Sequence, residues 1–159
     1  KLRSVHVKSE SRNVGICRTP QKMISLPDSK KLIIYDGHCV LCDYWVRLLL
    51  RHDKKEVFYF TELQSETGKS LQKYFGLENQ KVDSIILYIP KKAYYLKSTA
   101  FFEIIKSLPW YFYGALIFAI LPPAITDKMY TIIAKNRYRW FGRKASCGYI
   151  DASLIHRFI

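Results

Sequence analysis

Two cysteines three residues apart stand where an apolar, β-branched run gives way to an amphipathic segment: "LIIYDGHCVLCDYW", Leu32 to Trp45. That placement constrains the chain more than any other feature. "KKLIIYD" (Lys30–Asp36) is short, apolar and ended by Asp-Gly, which predicts a buried parallel strand. From Cys39 to His52 the apolar residues Val40, Leu41, Trp45, Leu48 and Leu49 recur at helical spacing. The pair Cys39/Cys42 therefore falls at the first turn of a helix that leaves a central strand, and both thiols are expected at its exposed mouth.

The elements that follow narrow the fold. "VFYFTEL" (Val57–Leu63) predicts a second strand, and Ser65 to Phe75 a short helix stopped by Gly76. "SIILYI" (Ser84–Ile89) and "AYYLK" (Ala93–Lys97), joined across Pro90-Lys91-Lys92, read as a hairpin. Ser98 and Thr99 are candidate caps for a helix running through Leu108. The order β-α-β-α-β-β-α describes an α/β fold with a parallel pair and a late antiparallel hairpin, where a doubly wound sheet would place a helix. "WYFYGALIFAIL" (Trp110–Leu121) is the most apolar run. As a helix it would reach ~18 Å, short of the ~30 Å of hydrocarbon in a bilayer. It is expected as a core helix rather than an interfacial contact, followed from Pro123 by a basic helix over Ile125–Trp140.

A Cys-x-x-Cys at a helix start has a use. Unpaired backbone N–H groups and the helix dipole favour a Cys39 thiolate. Cys42, on the same face, can close a disulfide with it. Cys39 would attack a substrate disulfide, and Cys42 would resolve the mixed disulfide. Asp36 either takes the Cys42 proton in that second step or serves the turn as a capping residue. His38 could support the thiolate when protonated, or be a plain surface residue. Zinc is the competing chemistry, but the pair supplies two ligands of the four a structural site needs. Cys17, Cys147 or His38 would have to complete the set. No cofactor is expected, since the cysteine pair is itself the redox centre.

With 159 residues, 49% of them hydrophobic, the chain can build a core without disulfide staples. Its 26 Lys and Arg against 13 Asp and Glu favour an anionic neighbour. The excess is concentrated at the ends, with seven basic and two acidic residues in each of 1–30 and 126–159. Three regions follow: a basic extended arm over 1–29, a domain over 30–147, and a tail over 148–159. The arm is basic, contains serine, is poor in acids and lacks an apolar signal core, like organelle-targeting sequences. A mitochondrial address is expected, with plastid or bacterial cytoplasm as the alternatives.

The motifs together resemble the DCC family of predicted thiol-disulfide oxidoreductases, named for the Asp-Cys-Cys that stands here as "YDGHCVLC". "FTELQSETGKSL" (Phe60–Leu71), "DSIILY" (Asp83–Tyr88), "KSTAFFEIIKSL" (Lys97–Leu108) and "AKNRYRWFGRKASC" (Ala134–Cys147) extend the resemblance from about Lys31 to Cys147. It implies a thioredoxin-like fold, a redox activity, and a motif falling on Asp36, Cys39 and Cys42. Thioredoxins carry a cis-proline before the third strand, where this chain has "KVDSIILY". The expected partner is a protein or small-thiol disulfide substrate. The alternative is a structural or assembly subunit of a large organellar complex, such as a mitochondrial ribosome or respiratory complex. Contact with RNA would then run through the basic arm and Asn136–Lys144, whose "NRYRWFGRK" interleaves aromatics and cations. A pocket-closing role is the competing reading of that segment. Membrane contact without spanning is a third possibility for the apolar run and its basic flanks.

Overall fold

Leu32 and Ile34 face one side of a sheet, Ile33 and Tyr35 the other, and all four are fully buried, so their strand has no solvent face. This alternation without a polar side is what a central strand covered on both faces requires. A computed structural model describes residues 14–16, 26–77, 85–144 and 152–159. Cys17, Cys147 and most of the basic arm lie outside the described residues.

The strands are β1 (Val14–Ile16), β2 (Lys31–Tyr35), β3 (Phe58–Glu62), β4 (Ile86–Ile89) and β5 (Ala93–Leu96). They form one sheet in the order β1-β5-β4-β2-β3. β2 and β3 are parallel, joined through helix α1 (Val40–His52), while β4 pairs antiparallel with both β2 and β5. The hairpin is therefore present, and the architecture is a thioredoxin-like α/β fold. Within the stretch read as an arm, Val14–Ile16 joins the sheet by pairing antiparallel with β5.

One face of the sheet packs on α1 and α3 (Lys97–Ile105) through Val46, Leu49, Ala100 and Ile104. The other packs on α2 (Glu66–Tyr74), where Leu71 and Phe75 meet Leu32 and Ile34. Burying a side chain of this size stabilises the fold by about 1.5–3 kcal/mol. α2 starts on Ser65, whose hydroxyl accepts from the Gly68 amide at 3.0 Å. Gly76, at φ +67°, turns the chain just beyond its end.

Two expectations are corrected. α3 has no side-chain cap, because Ser98 is buried and its hydroxyl donates to Asp127 of α4 (Pro123–Phe141). The apolar run is not a core helix. Trp110–Ile120 is a 3₁₀ helix that packs Phe112, Ala115 and Leu116 on the core and leaves Trp110 79% and Ile120 82% exposed. A run apolar on every side can bury only the face it turns to the protein. Among the described residues no helix is long and apolar enough to cross a membrane. Pro123 opens α4 at its first turn, as expected.

The second 3₁₀ turn (Ala152–Arg157) and the two residues after it are tied to β3. Arg157 is fully buried, pairs with Asp53 and donates to the Phe58 carbonyl through Nε at 3.0 Å. Phe158 stacks on Phe60, and the Ile159 amide donates to the Phe60 carbonyl at 2.9 Å.

Candidate functional site

Cys39 is the N-cap of α1, and its sulfur accepts from the Cys42 amide at 3.2 Å. The sulfur thus replaces the oxygen of an ordinary cap and sits at the positive end of the helix. Cys42 lies one turn on, on the face turned to the core. The two sulfurs are neighbours. The Cys42 thiol donates to Cys39, and this bond is the largest cause that lowers the Cys39 pKa to about 7. Burial works against it, while the Cys42 amide and the charge of Arg137 add to it. For Cys42 the same bond, then burial, pushes the thiol far up. One sulfur is set to carry the negative charge and the other to hold the proton.

The expectation of an exposed mouth is corrected: Cys39 is 0% exposed and Cys42 6%. The cover comes from the end of α4. Gly142, at φ +85° and ψ 176°, turns the chain back, and Arg143 forms an antiparallel bridge with Cys39. That backbone region is open essentially to glycine alone. The Lys144 amide then donates to the His38 carbonyl at 3.1 Å, and its ammonium pairs with Asp43 at 2.7 Å. We call residues 142–144 the strap.

Asp36, just past the end of β2, is also buried. Its Oδ1 accepts from the His38 amide at 3.0 Å and from Gln64 Nε2 at 2.8 Å. Its Oδ2 accepts from Arg137 at 2.7 Å and from the Tyr138 hydroxyl. Burial pushes the carboxyl up, but the bonds from Tyr138, Gln64 and the His38 amide, with the Arg137 charge, outweigh it and hold it below the usual range. The turn role of Asp36 is thus visible in the His38 bond, while the capping role belongs to Cys39. The charge beside the sulfurs is Arg137, and the His38 ring lies 4.0 Å from Asp36.

Sequence reasoning did not assign Arg137, Tyr138 or Gln64 to the site. A signal existed in "NRYRWFGRK", where an arginine and a tyrosine stand at adjacent positions near the end of the basic helix. Within that segment the Arg137 and Arg143 guanidinium groups lie 4.9 and 4.1 Å from the Tyr138 ring. Arg143 bridges Cys39, Tyr138 packs against the cluster that holds both cysteines, and the Arg137 charge acts on both sulfurs.

A match to the DCC1-like thiol-disulfide oxidoreductase family covers residues 33–143. The chain belongs to that family. Among its relatives is the uncharacterized protein YuxK of Bacillus subtilis strain 168, 37% identical over 131 residues that cover 81% of this chain and 93% of that protein. Another is a chloroplastic DCC family protein of Arabidopsis thaliana, 33% identical over 121 residues that cover 76% of this chain and 70% of the relative. No solved structure matches the chain. The DCC1-like match starts within β2 and stops at Arg143, so it takes in Asp36, both cysteines and the arginine that bridges Cys39.

Proposed function

We propose that this protein is a thiol-disulfide oxidoreductase whose reacting group is the Cys39–Cys42 dithiol, acting on a protein or small-thiol disulfide. The observation that carries the reading is the Cys39 sulfur capping α1, where it accepts from the Cys42 amide at 3.2 Å with the second cysteine one turn away. In the first step the Cys39 thiolate attacks one substrate sulfur. The substrate S–S bond breaks, a mixed disulfide forms, and the other substrate sulfur leaves as a thiolate. In the second, Cys42 loses its proton and attacks Cys39. The mixed disulfide breaks, the second substrate thiolate leaves, and the enzyme ends as the 39–42 disulfide.

Asp36 is a positioning residue in this scheme. With four donors on its carboxylate, it fixes Arg137 beside the sulfurs and is a poor acceptor for the Cys42 proton. The strap has to lift from Cys39 before a disulfide can reach it. The test is disulfide reduction by wild type, Cys39→Ser and Cys42→Ser. Loss in the first variant and a trapped mixed disulfide in the second are expected. Unchanged reduction by Cys39→Ser would sink the proposal.

A second, compatible reading rests on the exposed apolar face of Trp110–Ile120, which suits a domain that also docks on a larger assembly or a membrane surface. Co-sedimentation of the native protein with a particle, weakened by Trp110→Ser and Ile120→Ser together, would support it. A bacterial relative and a chloroplastic one favour a bacterial or plastid setting over a mitochondrial one.

A further inference from the structure

A cavity of about 320 Å³ lies between α1, α3 and α4, and Cys42 forms part of its wall. Most of the rest of the lining is apolar and ring-rich, with Trp45, Phe101 and Phe102 on one side and Met129 and Ile133 of α4 on the other. This is about twice the size of a dry cavity of ~150 Å³ that takes one benzene, and it falls at the lower end of small-ligand pockets. A single amino-acid side chain would leave it half empty. A ring with a short tail fills it. Leu121, Met129 and Ile133 are themselves exposed, so the cavity opens between them onto a surface that Ile120, Ile125 and Ile132 keep apolar.

The polar groups at the wall limit the head of the ligand. The Ser98 and Thr126 hydroxyls donate to Asp127 and to the Pro123 carbonyl, and the Tyr130 hydroxyl accepts from the Ile85 amide at 3.1 Å. Arg137 reaches the wall, but its charge is already matched by Asp36 at 2.7 Å. An anionic head such as a fatty carboxylate would meet that buried carboxylate with no cation left to balance it. A neutral carbonyl would not. The occupant is thus lipophilic, cyclic and neutral, with its polar end against a sulfur of the dithiol.

We propose that this cavity binds a lipophilic quinone that accepts the electron pair of the Cys39–Cys42 dithiol. The inference rests on the dithiol reading above and supplies it with an oxidant. The Cys42 sulfur adds to an electrophilic carbon of the quinone, and its proton passes to a quinone oxygen. The Cys39 thiolate then attacks the Cys42 sulfur. The S–S bond forms, the C–S bond breaks, and its electron pair returns to the ring, which takes one proton from solvent and leaves as hydroquinone. Two sulfurs are oxidised by two electrons and one quinone is reduced by two.

The experiment mixes the reduced full chain with decylubiquinone, whose ring is fully substituted, and follows loss of quinone absorbance and the 39–42 disulfide by peptide mass. Ala134→Phe fills the cavity from α4, and Met129→Trp blocks its mouth. Wild type should form the disulfide with one hydroquinone per pair, and both variants should react at least tenfold more slowly. Their oxidation by water-soluble dithiobis(nitrobenzoate) should match wild type, which also shows that they are folded. Oxidation of wild type by the aromatic disulfide but not by the quinone overturns the inference and leaves the dithiol reading standing. Equal quinone rates in all three proteins also overturn it. Failure of both oxidants to link residues 39 and 42 removes the dithiol reading and this inference with it.

Discussion

The Asp36 carboxylate and the Arg137 guanidinium, 101 residues apart in sequence, meet at 2.7 Å beside the cysteine pair, and both side chains are 5% exposed. Two charges taken out of water together are tolerable, whereas either one left alone is not. The bond therefore does two jobs at once. It anchors α4 to the end of β2, and it places a positive charge near the Cys39 sulfur.

Breaking that pair should be costly. Arg137→Met is expected to lower unfolding stability by about 3–5 kcal/mol, because it strands a buried carboxylate. It should also raise the Cys39 pKa by removing one of the causes that lower it. Urea unfolding and the pH profile of alkylation check the two effects separately.

The same carboxylate fixes a pH dependence. Its hydrogen bonds hold Asp36 below the ordinary value of 3.8, so the native state binds this proton less readily than the unfolded chain. Its contribution is complete above that ordinary value and drains away as pH falls through the depressed one. Between pH 5 and pH 2 the urea midpoint of wild type should fall more steeply than that of Asp36→Asn. Parallel slopes would contradict the assignment.

Cys39 should alkylate with a midpoint near pH 7, and Cys42 should stay inert across the same range. Replacing Cys42 by alanine removes the strongest cause of the shift, so the Cys39 midpoint should climb toward 9.0. Reaction at neutral pH would then slow by roughly tenfold or more as the thiolate fraction falls. Iodoacetamide labelling read by mass spectrometry distinguishes the two sulfurs.

Gly142 controls access. A side chain at its φ of +85° and ψ of 176° costs about 1–3 kcal/mol, so Gly142→Ala should loosen the bridge between Arg143 and Cys39. Alkylation of Cys39 at pH 8 should accelerate severalfold with its midpoint little changed. A shift of midpoint without acceleration would mean that the strap tunes the sulfur instead of covering it.

Arg157 offers a control. Arg157→Ala should cost about 3–5 kcal/mol by leaving Asp53 buried and unpaired. It should leave the Cys39 midpoint where it is. Thermal melts and the alkylation profile test both halves.

Much of this was legible because it is local. The strand–helix order follows from apolar spacing over a few residues, and Cys39 and Cys42 are close in space because they are close in sequence. Ser65 and Gly76 mark the ends of α2 by their own chemistry. What could not be read depends on where distant segments land. Arg137 and Tyr138 reach Asp36 only because α4 crosses the open end of β2, and nothing in their neighbours' periodicity encodes that crossing. The burial of Cys39 follows from a backbone reversal at Gly142, invisible until α4 is placed. The Trp110–Ile120 segment misled for the opposite reason: uniform apolarity carries no direction, so composition alone could not say how much of it would find a core.

β5 is bordered by Val14–Ile16, and β3 by Phe158 and Ile159. Both bordering segments fall outside residues 33–143, the stretch shared with the family. An excised piece limited to that stretch would present two bare rows of amides and carbonyls, an open invitation to strand-by-strand self-association. The unit whose outer strands are both covered is therefore larger than residues 33–143.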